Sequence, residues 1–141
     1  MRKIVSVISV AAGLCVISGS AEANPTCALD GVWSTTNPGG RATFTTKVTT
    51  ATHAFTVDRT GGGLPDAHIV GSYTYDAATS KMVVTNNSVS TQDMAFFACI
   101  GTPGTYTVVF SDCTHFSMQL VADGCGPRSA SAGHGVFTKQ P

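Results

Sequence analysis

Charged residues, and glutamate above all, are scarce in this chain. Charged side chains make up 11% of the 141 residues, the formal net charge is zero, and Glu22 is the single glutamate. Because glutamate is among the residues that favour helices, its near absence argues against a helical fold. The few lysines and arginines form no cluster, whereas nucleic-acid binding needs a basic stripe that neutralises phosphates. We therefore expect neither a helical protein nor a nucleic-acid-binding one.

Long apolar runs are also missing, apart from one at the N-terminus that is typical of an export signal. A basic start precedes an apolar stretch over residues 4–17, and Ala21-Glu22-Ala23 fits the small-x-small cleavage rule. No later segment reaches the ~20 apolar residues that span a bilayer. We predict a signal peptide over residues 1–23 and one mature domain over residues 24–141. The protein should be secreted or periplasmic, with no membrane contact after cleavage.

Cysteine and histidine are too few and too scattered to indicate a metal site. Four cysteines follow the predicted cleavage site, no Cys-x-x-Cys pair occurs, and no two histidines have the spacing of metal ligands. An even number of cysteines in an exported chain indicates two disulfides. We therefore expect disulfides, and neither a metal nor another cofactor. The four cysteines are Cys27, Cys99, Cys113 and Cys125.

What the chain has in abundance is threonine, together with short apolar segments that alternate with polar residues, a pattern typical of strands. Turn residues separate these segments, and a proline followed by small residues predicts a short helix over residues 127–132. The predicted strands cover residues 29–35, 41–58, 67–75, 81–85, 94–100, 105–111, 115–122 and 134–139.

The number of strands depends on residues 41–58, where the apolar residues change from even to odd positions. Side chains alternate faces along a strand, so this change requires a bulge or a hairpin near residues 49–52. With a bulge the strands number eight, which closes an antiparallel up-and-down barrel. With a hairpin they number nine, and a sandwich becomes competitive. We predict an all-β protein with a single eight-stranded barrel.

The eight-strand count also selects a disulfide pairing. Successive strands run in opposite directions, and cysteines at opposite ends of a barrel are too far apart to join. Cys27 starts the first strand and Cys113 ends the sixth, so both fall at one end. Cys99 ends the fifth strand and Cys125 follows the seventh, so both fall at the other end. We predict the pairs Cys27–Cys113 and Cys99–Cys125.

Three motifs resemble those of small secreted lipocalin-like (calycin) domains. The first strand carries Gly31-Val32-Trp33, which is similar to the Gly-x-Trp of the first lipocalin strand. Residues 123–128 (Asp-Gly-Cys-Gly-Pro-Arg) resemble an Asp-x-Cys-x-x-Arg pattern of short bacterial lipocalin-like proteins, and residues 135–139 resemble their last strand. The resemblance implies a structural tryptophan, Trp33, with a late basic side chain packed over it. Lys139 and Arg128 are the two candidates for that side chain.

An eight-stranded barrel can hold one small ligand, which makes a binding protein for a small apolar molecule the favoured function. The inward apolar faces of three strands would line the cavity, although the same residues could simply fill the interior. The predicted ligand-binding residues are Tyr73, Tyr106, Val108, Phe116 and Met118.

Two other functions remain open. A secreted interaction domain, such as an inhibitor of a protease or another hydrolase, would present an exposed loop to a protein target, and residues 60–66 or 86–92 would serve. An enzyme would need an acid–base couple, for which Asp66 with His68 and Asp112 with His115 are the candidates. No nucleophile motif accompanies either pair, so catalysis is the least favoured function.

Overall fold

The structure, a computed structural model, describes residues 27–94 and 98–141. The predicted signal peptide over residues 1–23 lies outside the described residues. A short α-helix, α1, spans Gly126–Ala132 and matches the predicted helix. The strands are β1 (Gly31–Thr36), β2 (Ala42–Thr49), β3 (Ala54–Gly61), β4 (Ala67–Asp76), β5 (Lys81–Val89), β6 (Pro103–Asp112), β7 (His115–Asp123) and β8 (Val136–Lys139).

The eight strands form a closed antiparallel barrel in sequence order, which confirms the predicted fold class. Each strand pairs with its neighbours along the chain, and β1 also pairs with β8 through Trp33 opposite Lys139 and Ser34 opposite Thr138. This last pairing removes the exposed edges that an open sheet would carry. Side chains alternate between the barrel interior and solvent along the strands, except where the register shifts, as between Val70 and Gly71 and between Thr105 and Tyr106.

Two details of the predicted strands are wrong, although the count of eight is right. Residues 41–58 are not one bulged strand: β2 and β3 form a hairpin whose turn holds Thr50–Thr52 and a left-handed His53 with φ 52°. The predicted strand over residues 94–100 is not a strand in its described part, because Met94 ends a 3-10 turn and residues 98–100 are helical or turn. Met94 and Ala98 are nevertheless buried. A segment apolar on both faces does not suit a barrel wall, since one face of the wall meets solvent.

Connections between strands divide the barrel into two ends. The Trp33 end is formed by residues 27–30 and by the β2–β3, β4–β5 and β6–β7 turns. The α1 end is formed by the β1–β2 and β3–β4 loops, by the described part of the β5–β6 connection, and by α1.

The cysteine pairs lie at disulfide distance in the pairing that the strand order predicts. Cys27 and Cys113 join at the Trp33 end with a Cα–Cα distance of 4.9 Å. Cys99 and Cys125 join at the α1 end with a Cα–Cα distance of 5.7 Å. Two disulfides in so small a domain are typical of a non-reducing, extracellular environment. Within the described residues, no helix has the length and apolar character needed to cross a bilayer.

We expect the two disulfides to differ in how strongly they stabilise the fold. Cys27 and Cys113 are 86 residues apart, whereas Cys99 and Cys125 are 26 apart. A longer closed loop restricts the unfolded chain more, so on the chain-entropy account the first disulfide contributes ~1 kcal/mol more than the second. Urea unfolding of the two double cysteine-to-serine variants measures this difference, and the opposite order would contradict the account.

Candidate binding cavity

A cavity of about 450 Å³ lies inside the barrel and reaches the α1 end. This volume is within the usual range for sites that hold a small molecule. Strands β1 to β5, β7 and β8 contribute to its wall, together with α1. Most of the lining side chains are apolar, among them Phe44, Val48, Phe55, Val57, Ile69, Met82, Val84 and Phe137.

Gly71 on the inner face of β4 shapes one side of this wall. A Cβ atom there would collide with the ring of Phe55 on the neighbouring strand β3. The glycine therefore leaves room for the tip of the Phe55 ring against β4, and Phe55 lines the cavity. This is the close packing that a glycine within a strand often signals.

Three of the five predicted ligand-binding residues line the cavity, namely Tyr73, Phe116 and Met118. The other two, Tyr106 and Val108, are buried on the inner face of β6 but do not line it. The alternation of side chains along a strand, or strand parity, predicts which residues face inward. It does not predict which inward residues pack against one another and which border open space.

The Trp33 end is filled by the indole ring of Trp33, which is fully buried. Its Nε1 donates a hydrogen bond to the carbonyl oxygen of Leu29 at 2.7 Å. The Phe116 ring packs edge-on against the indole, with 4.7 Å between the two ring centres. Lys139 Nζ lies 5.2 Å from the centre of the ring, a cation–π contact. Of the two basic candidates, Lys139 therefore packs over the tryptophan.

Arg128 lies at the α1 end, in a buried ion pair with Asp123. The guanidinium donates two hydrogen bonds to the carboxylate, both 2.7 Å, and a third to the carbonyl oxygen of Thr102 at 2.8 Å. Asp123 also accepts a hydrogen bond from the hydroxyl of Tyr106 and one from the backbone amide of Cys125. The inward hydroxyl of Tyr106 is therefore used to bind Asp123.

Burial and hydrogen bonding act in opposite directions on Asp123. Burial alone would raise the pKa of its carboxyl, but the hydrogen bonds from Arg128, Tyr106 and Cys125 outweigh burial and lower that pKa. Burial, with the contact to Asp123, raises the pKa of Tyr106. Asp123 is thus an ionised carboxylate that binds the guanidinium of Arg128 and the neutral phenol of Tyr106. Gly104 makes room for them, because a Cβ atom there would collide with the Asp123 carboxylate.

Arg59 on β3 is a buried cation that sequence reasoning missed. Arg59 is 6% exposed and lines the cavity. Its Nη1 donates hydrogen bonds to the carbonyl oxygens of Leu64 at 3.3 Å and Pro65 at 3.1 Å. Among the described residues, no carboxylate forms an ion pair with it. A signal was present: Phe55, Val57 and Arg59 occupy alternate positions, so an arginine sits on the apolar face of its strand.

Three residues of the cavity wall also carry buried polar atoms. Thr35 Oγ1, Tyr73 Oη and Arg128 Nη1 are buried and have no hydrogen-bond partner among the described residues. All three residues line the cavity. Asn86, another polar lining residue, donates to the carbonyl oxygen of Ala98. Buried polar atoms are normally hydrogen-bonded, so these three atoms are exceptions.

The predicted acid–base couples lie on the outer surface. His68 pairs with Asp58, at 2.6 Å, and not with Asp66. Asp112 and His115 do meet, at 3.0 Å, and hydrogen bonds from Thr114 and then His115 lower the pKa of Asp112 to about 2. Within the described part of the chain, no three His, Cys, Asp or Glu side chains gather as they would around a metal ion.

The cavity, its two arginines and its unpartnered polar atoms are thus the features that bear on function. Comparison of the chain with protein-family models, with curated proteins and with solved structures finds no match. Function is therefore inferred from the cavity and from the side chains that line it.

Proposed function

We propose that this protein is a secreted, lipocalin-like carrier that holds a small apolar ligand in its barrel. The observation that carries the proposal is the cavity of about 450 Å³ with mainly apolar walls. An interior packed solid would suit a purely structural or inhibitory domain. A sizeable cavity in a small barrel costs packing energy unless a ligand uses it.

The two ends of the barrel support the same proposal. Trp33 and Lys139 fill one end, and the loops that hold Asn37, Pro38 and Leu64 border the cavity at the other, beside α1. A ligand would enter at the α1 end and be stopped at the Trp33 end. The Gly-x-Trp motif with a basic side chain over its indole is also the arrangement that the lipocalin resemblance implies.

Affinity should be modest. A ligand that buries ~300 Å² of apolar surface gains ~7–8 kcal/mol at ~25 cal/mol per Å², before the costs of association are subtracted. We therefore expect a dissociation constant in the micromolar to submillimolar range. The neutral, environment-sensitive dye phenylnaphthylamine should bind with that affinity, and its emission should rise as it leaves water.

Replacing Met118 with tryptophan should abolish dye binding, because Met118 lines the cavity from β7 and the larger ring would occupy it. The matched control is Gln119→Trp, which adds the same ring at the adjacent, exposed position of β7. Val57→Phe fills the cavity from β3 and guards against misfolding of the first variant. Circular dichroism checks the fold of each. Equal dye binding by all three variants, or none by the wild-type protein, would overturn the proposal.

A further inference from the structure

We propose that the ligand is an amphiphile with one carboxylate, whose head group is bound by Arg59 and whose apolar tail lies in the barrel. This inference rests on the carrier function proposed above and names the chemical class of the ligand. It begins from the position of Arg59. Arg59 faces inward near the α1 end of β3, two and four residues beyond Val57 and Phe55 on the same face.

A buried cation without a counter-ion is unusual. Removing a charge from water is costly unless an opposite charge or several hydrogen bonds compensate. Arg59 is 6% exposed and has two carbonyl partners, Leu64 and Pro65, but no carboxylate partner among the described residues. A bound anion would supply the missing charge.

The hydrogen bonds of Arg59 leave the appropriate donors available. Both carbonyl contacts are made by Nη1. Nε and Nη2 have no hydrogen-bond partner among the described residues. These two nitrogens form one edge of the planar guanidinium, which binds the two oxygens of a carboxylate side by side.

The charge at the cavity wall is consistent with a monoanion. Two arginines line the described part of the cavity: Arg128 is already neutralised by Asp123, whereas no described carboxylate pairs with Arg59. Arg128 Nη1 remains as a buried donor without a partner among the described residues. Thr35 adds an unpartnered hydroxyl at the level of Arg59, because Phe44 on β2 pairs with both of them.

The rest of the cavity fits an alkyl tail. Between the level of Arg59 and the Trp33 end, the wall is mainly apolar and includes Phe55, Val48, Met82, Val84 and Phe116, together with the hydroxyl-bearing Thr46 and Tyr73. Between Arg59 and the Trp33 end, the described part of the wall holds no charged side chain. One charged group at the α1 end and an apolar interior match a medium-chain carboxylate with its head near solvent.

The test compares decanoate with decanol, which share a chain and differ in the head group. Charge-assisted hydrogen bonds are among the strong ones, so the wild-type protein should bind decanoate ~10–100-fold more tightly than decanol. Displacement of phenylnaphthylamine measures both affinities. Arg59→Gln should weaken decanoate binding by ~10–100-fold and leave decanol binding within about threefold.

Two further variants separate recognition from structure. Arg59→Lys keeps the charge but not the fork of donors, so it should restore part of the preference for decanoate. Arg41→Gln removes an exposed arginine from the β1–β2 loop at the same end of the barrel and should leave both affinities unchanged. A long-range effect of charge would make Arg41→Gln resemble Arg59→Gln and would overturn the assignment to Arg59.

The outcomes distinguish this inference from the carrier function. If the wild-type protein binds the dye and decanol as tightly as decanoate, the carrier function stands and the carboxylate site is wrong. If Arg59→Gln weakens both ligands equally, Arg59 only supports the β3–β4 loop and the inference is wrong. If neither ligand nor dye binds the wild-type protein, the carrier function itself is wrong, and this inference with it.

Discussion

Replacing Asp123 with asparagine should lower the free energy of unfolding by ~3–5 kcal/mol, because it leaves the guanidinium of Arg128 buried without its counter-charge. The Asp123 side chain is 0% exposed and that of Arg128 is 9% exposed, so water cannot substitute for the lost carboxylate. Urea unfolding followed by circular dichroism measures the loss. The matched control is Asp58→Asn, which breaks an exposed pair with His68 and should cost ~0–1 kcal/mol.

The pH dependence of this difference tests its electrostatic origin. An aspartate in the unfolded chain titrates near pH ~4, and the pKa of Asp123 lies lower in the folded protein. A lowered pKa means that the carboxylate contributes its full stabilisation above pH ~4 and loses it as the pH falls through the folded value. The gap between the wild-type protein and Asp123→Asn should therefore be constant at neutral pH and narrow below pH ~4. A gap that does not change with pH would assign the cost to packing alone.

Replacing Trp33 with alanine should cost ~3–5 kcal/mol, as other truncations of large core side chains do. The indole is fully buried, is hydrogen-bonded to Leu29, and packs against Phe116 and beneath Lys139. Because Trp33 is the only tryptophan, its fluorescence disappears with it, and circular dichroism must follow unfolding. The wild-type emission should lie at the short wavelengths typical of buried indole.

Trp33→Phe serves as the control. It keeps an aromatic ring against Phe116 but removes the donor to the Leu29 carbonyl oxygen, which leaves that oxygen unsatisfied at a cost of ~1–3 kcal/mol. We expect the order wild type, Trp33→Phe, Trp33→Ala from most to least stable. An alanine variant within ~1 kcal/mol of the wild-type protein would show that the ring does not close this end of the barrel.

The strand count shows where reasoning from sequence was accurate and where it was not. The hairpin at Thr50–Thr52 adds one strand to the prediction, and the loss of the predicted strand over residues 94–100 removes one. Cys99 was predicted at the end of the fifth strand and lies after β5, at the same end of the barrel, so its pairing with Cys125 is unchanged. Disulfide pairing depends on the direction of each strand, which two compensating differences leave intact.

The candidate site was predictable only in part. Parity placed Tyr73, Phe116 and Met118 inward, and the structure places them at the cavity wall. Parity also placed Tyr106 inward, but its hydroxyl binds Asp123, 17 residues later. Hydrogen bonds between distant strands depend on register and on bulges, such as the one between Thr105 and Tyr106, and a sequence pattern does not reveal these.

The sequence by itself determined the features that follow from local alternation and chain direction: a closed antiparallel barrel, the pairing of four cysteines, and an inward Trp33. The tertiary structure alone decided which basic side chain packs over Trp33, which carboxylate neutralises Arg128, and that Arg59 has no such partner among the described residues. The physical reason is range. Side-chain alternation is set within a strand, whereas the partner of a buried charge is set by which strands and loops the closed barrel brings together.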